Sequence, residues 1–265
     1  MVGAVRADGG IAGPEGAVSA RAYLDALAPI LAGVGDQAGG PVGEAADLVV
    51  ASLRAGGVVQ AFGSGHSEAL AMELAGRAGG LVPTNRIALR DLVVFGGEPP
   101  EVLADPHLER DPQVARRLYD LAAPSPADVF VVGSNSGVNG SIVEFAQLVK
   151  QRGHRLVAIT SFAQTAAVDS RHPSGTKLID HADVALDNGA PYGDAVLTLP
   201  GGGTVCAVSS ITGALLAQMV VAEVVRRLDG DGEAPPVYLS ANVPGGDEHN
   251  RTLEARYAGR IRRTA

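Results

Sequence analysis

The sequence has few aromatic and sulfur-containing side chains. Its 265 residues include no tryptophan and one cysteine, and only 4% are aromatic. One cysteine cannot form an intrachain disulfide, which is typical of proteins of a reducing compartment, and we predict a cytoplasmic location. The core must be mainly aliphatic, and we expect Cys206, which lies in an apolar run, to be a small core residue rather than a nucleophile.

An excess of positive charge and long apolar runs are also absent. The net charge is −8, which disfavours general nucleic-acid binding because phosphate neutralisation dominates that affinity. The longest apolar stretch, 205–225, is interrupted by polar residues and predicts a buried helix rather than a membrane span. Residues 1–20 have no continuous apolar segment, so we expect a loose tail and no signal peptide. The sequence therefore predicts neither a nucleic-acid nor a membrane partner.

Residues 21–265 are expected to form one domain in which strands and helices alternate. The predicted strands are 58–62, 87–94, 128–132, 156–160, 183–186 and 195–199. The predicted helices are 21–31, 42–54, 67–78, 113–122, 140–151, 211–228 and 248–263. This alternation is typical of an α/β fold with a parallel, doubly wound sheet. Ligands of such sheets bind at the carboxyl ends of the strands.

Two Gly/Ser turns each lie between a predicted strand and a predicted helix. The first is in VVQAFGSGHSEALAMEL (58–74) and the second in DVFVVGSNSGVNGSIVEF (128–145). Each combines backbone N–H groups, small polar side chains and a helix N-terminus, which suits a bound phosphate. In the first turn, Ser67 is a candidate to bind a sugar hydroxyl, and His66 either is a catalytic acid or base or only shapes the turn. In the second turn, the candidates for phosphate binding are Ser134, Asn135, Ser136 and Asn139.

The turns and their flanking segments resemble the sugar isomerase (SIS) domain family. The resemblance lies in GSGHS (63–67), AMELAGRAGG (71–80), GSNSGVN (133–139) and LVAITS (156–161). Three more segments resemble a narrower group of single-domain bacterial members: SRHPSGTKL (170–178), DNGAPYGDA (187–195) and SANVPGGDEHNRTLEARY (240–257). That group includes an actinobacterial N-acetylglucosamine-6-phosphate dehydratase. The resemblance implies a three-layer α/β/α sandwich with a five-stranded parallel sheet, a homodimer or homotetramer, and a phosphosugar ligand.

Glu73 is the predicted catalytic carboxylate. Removal of the proton on carbon 2 of a sugar needs a positioned base, and ELAGR (73–77) resembles a Glu-Leu-x-Gly-Arg segment of the phosphoheptose isomerases whose Glu is catalytic. Arg77 in the same segment is a candidate to bind the substrate. The segment between the glycine turn and this Glu is about one helical turn shorter here than in the phosphoheptose isomerases. The alternative is a Glu73–Arg77 surface ion pair at i, i+4.

A second acid or base is harder to assign from the sequence. The phosphoheptose isomerases have a histidine in the late helix, where this chain has Gln218 and Met219. His249 is the predicted substitute and could act in the pocket of a neighbouring subunit, although this segment could also serve only as an acidic helix start. Glu98 and Glu109, in the loop 96–112, are further carboxylates between which the sequence does not decide. No spacing matches a zinc site, and we predict neither a metal nor a cofactor.

The resemblance favours an enzyme that eliminates water from N-acetylglucosamine 6-phosphate after removing the carbon-2 proton. An acetamido group cannot readily form the ketose, so elimination is the available outcome for that substrate. An aldose–ketose phosphosugar isomerase is the first alternative. A non-catalytic phosphosugar sensor is the second, and it is disfavoured because no helix-turn-helix segment is visible.

Overall fold

A five-stranded, all-parallel sheet forms the centre of the molecule. The computed structural model describes residues 18–263. The strand order is β2-β1-β3-β4-β5. The strands are β1 (Val59–Gly63), β2 (Thr84–Ile87), β3 (Val129–Gly133), β4 (Arg155–Thr160) and β5 (Val184–Asp187). Residues of β1 and β3 are buried on both faces, which explains their predominantly apolar sequences. The predicted parallel α/β/α architecture is confirmed.

Helices cover both faces of the sheet. They are α1 (Ala20–Gly35), α2 (Pro41–Arg54), α3 (Glu68–Leu74), α4 (Asp91–Val94), α5 (Gln113–Ala122), α6 (Gly140–Gln151), α7 (Phe162–Ala167), α8 (Ser209–Gly230) and α9 (Gly246–Ala255). On one face, α2, α3 and α8 pack on alternate strand residues such as Val59 and Val131. On the other face, α5 and α6 pack on Phe62 and Phe130. Successive side chains of a strand point to opposite faces of the sheet, so strands that are buried on both sides contribute to a core on each face.

The last predicted strand does not belong to this sheet. It forms an antiparallel hairpin of β6 (Ala195–Thr198) and β7 (Thr204–Ala207). The hairpin packs against α1, and the two share a small apolar cluster that includes Leu27 and Val196.

The predicted strand 87–94 is wrong. The strand β2 ends at Ile87, and Asp91 begins the short helix α4. The Asp91 carboxylate accepts a hydrogen bond from the N–H of Ala88, 3.1 Å away, which stabilises this turn. A local side-chain bond therefore outweighs the β propensity of the apolar residues that follow it.

Two predicted helices are shorter in the structure. Helix α3 ends at Leu74 because Ala75 is extended and Gly76 has a φ of +76°. Helix α9 ends at Ala255, and the residues after it, up to Arg263, lie along β2. Residues 1–17 of the predicted tail lie outside the described residues, and α1 begins at Ala20 after Ser19, whose hydroxyl caps it.

A buried carboxylate ties this C-terminal segment to the amino ends of the strands. The Asp128 side chain is 0% exposed. It accepts hydrogen bonds from the N–H groups of Val58 and Ser125, from Gln60 and from Arg260, at 2.5–3.0 Å. Each of these contacts neutralises or satisfies the buried charge, as burial of a charge requires.

Candidate functional site

The first Gly/Ser turn depends on two of its glycines, one for space and one for its backbone conformation. A Cβ on Gly63 would lie 2.2 Å from the carbonyl oxygen of Ser67, and Gly65 has a φ of +56°. A 3₁₀ turn, Gly65–Ser67, follows and leads into α3. His66 is thereby exposed and Ser67 half-buried at the start of that helix.

The second turn is packed directly against the first. A Cβ on Gly133 would lie 2.3 Å from a methyl carbon of Leu70, a residue of α3. Gly137 has a φ of +66°, and its N–H donates to the Ser134 hydroxyl oxygen at 3.1 Å. The two turns therefore meet at the carboxyl ends of the neighbouring strands β1 and β3.

One pocket collects side chains from both turns. Four residues predicted for the site line it: His66, Ser67, Ser134 and Asn135. The other lining residues are Leu70, Gly133, Ile159, Asn188, Ser209, Ser210 and Gly213. The pocket encloses about 20 Å³, room for roughly one water molecule. A sugar would therefore have to lie mainly at the mouth, where His66 and Ser210 are exposed.

The polar residues Asn188, Ser209 and Ser210 were not predicted as site residues. Asn188 follows β5 and donates from Nδ2 to the Asn135 Oδ1 atom at 2.9 Å. Ser209 begins α8, and its hydroxyl donates to Asp194 at 2.6 Å. Asn188 comes from the segment DNGAPYGDA (187–195) and the two serines from the start of α8, so only the folded arrangement of β5 and α8 brings them to the turns.

Ser136 and Asn139 lie farther along the second turn and do not line this pocket. The Ser136 carbonyl accepts a hydrogen bond from the Thr165 hydroxyl at 3.0 Å. Asn139 precedes α6, is 9% exposed, and accepts a hydrogen bond from Arg171. Phosphate binding by this half of the turn stays a prediction.

Glu73 and Arg77 lie together, away from the pocket lining. The Glu73 carboxylate forms an ion pair with Arg77 and accepts a hydrogen bond from Gln218 Nε2 at 2.7 Å. This is the geometry of the surface pair that the sequence left as the alternative. A catalytic role for Glu73 stays a prediction, and it would require the carboxylate to leave these partners.

His249 lies in a different part of the molecule. It lines a larger open groove of about 450 Å³ beside α9, with Glu248 and Arg256. Its Nε2 is 3.0 Å from the carbonyl oxygen of Val237. In this chain His249 does not reach the pocket at the two turns, so its predicted role needs a neighbouring subunit.

The structure distinguishes the two loop carboxylates. Glu98 forms an ion pair with Arg117. Glu109 instead accepts a hydrogen bond from the Ser64 hydroxyl at 3.3 Å, and a Cβ on Gly65 would be 3.2 Å from its Oε2. Its own carbonyl accepts a hydrogen bond from Ser141, in the first turn of α6, at 2.6 Å. Glu109 therefore contacts the first Gly/Ser turn and the start of the helix that follows the second.

Two further features are absent from residues 18–263. No group of three or more His, Cys, Asp or Glu side chains there could hold a metal ion. No helix in that range is both long and apolar enough to cross a membrane.

Comparisons with known proteins agree with this architecture. Residues 22–161 match the model of the SIS domain. A UPF0309 protein of Listeria monocytogenes is 40% identical over 222 residues, which cover 82% of this chain and 88% of the relative. A UPF0309 protein of Brucella canis is 39% identical over 239 residues, covering 90% and 96%. The structure of a phosphoheptose isomerase from Francisella tularensis has a TM-score of 0.54 at 15% identity, covering 77% of this chain and 95% of that one.

Proposed function

Because this chain belongs to the SIS domain family, we propose that it binds a phosphorylated sugar at the two Gly/Ser turns and converts it. The observation that carries the proposal is the convergence of both turns, Asn188 and the start of α8 on one pocket. Neutral hydroxyl, amide and N–H donors at helix starts are suited to a phosphate. A fold alone does not define an activity, so the proposal depends on these groups.

Glu109 is the carboxylate best placed to remove a proton. It lies against Ser64 and Gly65, one to three residues before His66 and Ser67 of the pocket. A general base must lie within reach of the proton that it removes, and geometry is the first criterion. Glu73 is the alternative base, with its carboxylate held by Arg77 and Gln218.

The proposed reaction is elimination of water from the open-chain form of N-acetylglucosamine 6-phosphate. Glu109 takes the carbon-2 proton, and the electron pair forms an enolate with the carbon-1 carbonyl. The enolate then forms a double bond between carbons 2 and 3 as the carbon-3 hydroxyl departs, protonated by His66 at the mouth of the pocket. With a substrate that carries a hydroxyl on carbon 2, the corresponding enediolate would lose the proton of that hydroxyl and gain one at carbon 1, which gives a ketose and is the isomerase alternative.

Proton NMR in D₂O tests this function. The protein is incubated with N-acetylglucosamine 6-phosphate, with glucosamine, fructose and heptulose phosphates in parallel. The dehydratase is expected to remove the carbon-2 signal and move the carbon-3 proton to the vinylic region. Conversion of the fructose or heptulose phosphate to its aldose would identify an isomerase. Binding without any change would contradict the enzyme proposal and identify a sensor.

The same proposal includes a homodimer or homotetramer in the cytoplasm, with His249 of one subunit as the alternative to His66 as the acid in the pocket of another subunit. Light scattering after size-exclusion chromatography measures the assembly. Mixed oligomers of Glu109→Gln and His249→Ala subunits test the shared site, because some mixed pockets would contain both native residues. Recovery of activity on mixing is expected, and no recovery would remove His249 from the mechanism.

A further inference from the structure

The segment SRHPSGTKL (170–178) lies directly behind the second Gly/Ser turn. The N–H of Arg171 donates to the carbonyl of Val138 at 3.0 Å, and the N–H of Leu178 donates to the carbonyl of Gly137 at 2.8 Å. The Arg171 Nη1 atom donates to Asn139 Oδ1 at 2.9 Å. This segment therefore holds both the backbone of the turn and the side chain at its end.

Asn139 occupies the N-cap position of α6 without capping the helix. Its backbone is extended, with φ −66° and ψ 143°, and its side chain makes no capping hydrogen bond. An N-cap asparagine ordinarily accepts from the N–H of the second or third helical residue. Here Oδ1 binds Arg171 instead. The first N–H groups of α6, from Gly140 to Ile142, consequently have no acceptor among residues 18–263.

The contact with Arg171 also fixes the orientation of the Asn139 amide. A guanidinium only donates hydrogen bonds, so the atom of Asn139 that it touches must be the oxygen. The amide nitrogen Nδ2 then faces away from Arg171, and no acceptor for it occurs in the described part of the chain. The amide N–H₂ and the first N–H groups of α6 are therefore unused donors at one end of the turn.

Arg171 itself is held by its neighbours. The side chain of His172 is 6% exposed, and its Nε2 is 2.9 Å from the Glu144 carboxylate on α6. Its Nδ1 is 2.8 Å from the Ser174 hydroxyl. Since the backbone of Arg171 is bonded to Val138 as well, its side chain begins from a fixed point beside Asn139.

We propose that Arg171 is a positioning residue for phosphate recognition: it orients Asn139 so that Nδ2 donates to the phosphate of the sugar. It also supplies positive charge beside a turn whose own residues, 133–139, carry none. This inference rests on the proposed function, and it extends the phosphate site from Ser134 to the N-terminus of α6. The role requires no contact between Arg171 and the sugar ring, so it concerns binding rather than chemistry.

Four variants test the inference. Arg171→Met removes the donor, and Arg171→Lys keeps the charge but not the planar group. Asn139→Asp keeps an oxygen for Arg171 but replaces the Nδ2 donor with a negative oxygen. Arg116→Met is the control, because Arg116 is exposed and has no bonded partner within the described residues. Calorimetry measures the affinity for N-acetylglucosamine 6-phosphate, for inorganic phosphate and for N-acetylglucosamine, and kinetics give kcat and KM.

Arg171→Met is expected to raise Kd and KM for the phosphosugar about tenfold, the effect of losing one charge-assisted hydrogen bond, with kcat almost unchanged. Arg171→Lys should recover part of the affinity. Asn139→Asp should weaken phosphosugar binding on the order of a hundredfold. It should nevertheless melt at the wild-type temperature or above, because Asp keeps an oxygen for Arg171 and places a negative charge at the N-terminus of α6. Affinity for the unphosphorylated sugar should not change in any variant.

The binding results distinguish a failure of the Arg171 inference from a failure of the proposed function. Wild-type affinity in both Arg171→Met and Asn139→Asp, with the wild-type protein binding the phosphosugar, would overturn this inference and leave the proposed function intact. A wild-type protein that binds neither a phosphosugar nor phosphate would overturn both. If Arg171→Met does not fold, Asn139→Asp decides the question, because its own melting temperature separates a structural role from a binding role.

Discussion

The two ends of strand β3 carry polar networks of opposite character. At its amino end, the Asp128 side chain is fully buried and has four donors on its carboxylate. At its carboxyl end, Ser134 begins a turn whose neighbours, such as Ser67, have hydroxyls without partners among residues 18–263. Buried polar groups are normally satisfied within the protein. The donors around the Asp128 carboxylate are therefore used within the fold, whereas we propose that the hydroxyls at the carboxyl end bind a ligand.

The separation of the two networks follows from the direction of the chain. All five strands are parallel, so every strand begins at the end that holds Asp128 and finishes at the end that holds the two turns. The C-terminal segment reinforces this difference, because Arg260 returns to Asp128 rather than to the turns. A change at one end should accordingly affect stability, and a change at the other should affect binding or turnover.

Replacing Asp128 by alanine should have the largest effect. It leaves Arg260, Gln60 and two backbone N–H groups without their acceptor. We expect the free energy of unfolding to fall by about 3–5 kcal/mol, the usual effect of removing one partner of a buried ion pair. Denaturant unfolding measures the loss, and Asp120→Ala, at an exposed acid, is the matched control. A changed KM in protein that is still folded would contradict the separation of the two ends.

Glu109→Gln is expected to act on turnover alone. The amide keeps the size of the side chain and can still accept from Ser64, but it cannot take a proton. We expect kcat to fall by about 10²–10⁴-fold, the range for loss of a general base, with an unchanged melting temperature. Glu98→Gln is the control, since Glu98 pairs with Arg117 instead. If Glu73→Gln abolishes turnover while Glu109→Gln does not, the base is Glu73.

Two serines allow a direct comparison of the amino and carboxyl ends of the strands. The Ser52 hydroxyl donates to the carbonyl of Ala127, next to Asp128, at 2.7 Å, whereas Ser67 lines the pocket. Ser52→Ala should lower the free energy of unfolding by about 1 kcal/mol and leave KM unchanged. Ser67→Ala should raise KM about tenfold and leave stability unchanged. The opposite pattern in either variant would contradict the assignment of stability to the amino ends of the strands and of binding to their carboxyl ends.

A smaller, pH-dependent effect is expected behind the second turn. Burial lowers the pKa of the His181 imidazole below its ordinary 6.5; nearby His172 adds to the lowering and Asp180 opposes it. The unfolded chain therefore binds the proton more readily, so this stability is present above about pH 6.5 and is lost as the pH falls. The denaturant midpoint should drop on acidification, and less so in His181→Gln. An equal drop in both proteins would assign the effect to other groups.

The sequence predicted the sheet best where the chain is buried on both sides. The strands β1, β3 and β4 are predominantly apolar runs that end in glycine or a small polar residue, and their bounds agree with the predictions to within one residue. The edge strand β2 was misplaced because its sequence, TNRI, is polar. Its Asn85 binds the backbone of Arg260 and Arg262, a contact that no local pattern contains.

The candidate site was predictable only in part. Local turn patterns identified His66, Ser67, Ser134 and Asn135, which the structure brings to one pocket. The preference for Glu109 over Glu98 required the contact with Ser64, which is 45 residues away in the chain. Asn188 likewise meets Asn135 only because β5 lies two strands from β3 in the folded sheet. Contacts between distant segments are set by topology, and the spacing of residues does not encode them.

Whether the sugar binds at the carboxyl ends of the strands is tested most directly by NMR, with the backbone amide signals followed while N-acetylglucosamine 6-phosphate is added. We expect shifts in the signals of residues 63–67 and 134–142, at the carboxyl ends of β1 and β3, and unchanged signals around Asp128 and Val58. Shifts confined to the amino ends of the strands or to the groove beside α9, with both turns unchanged, would contradict binding at the carboxyl ends.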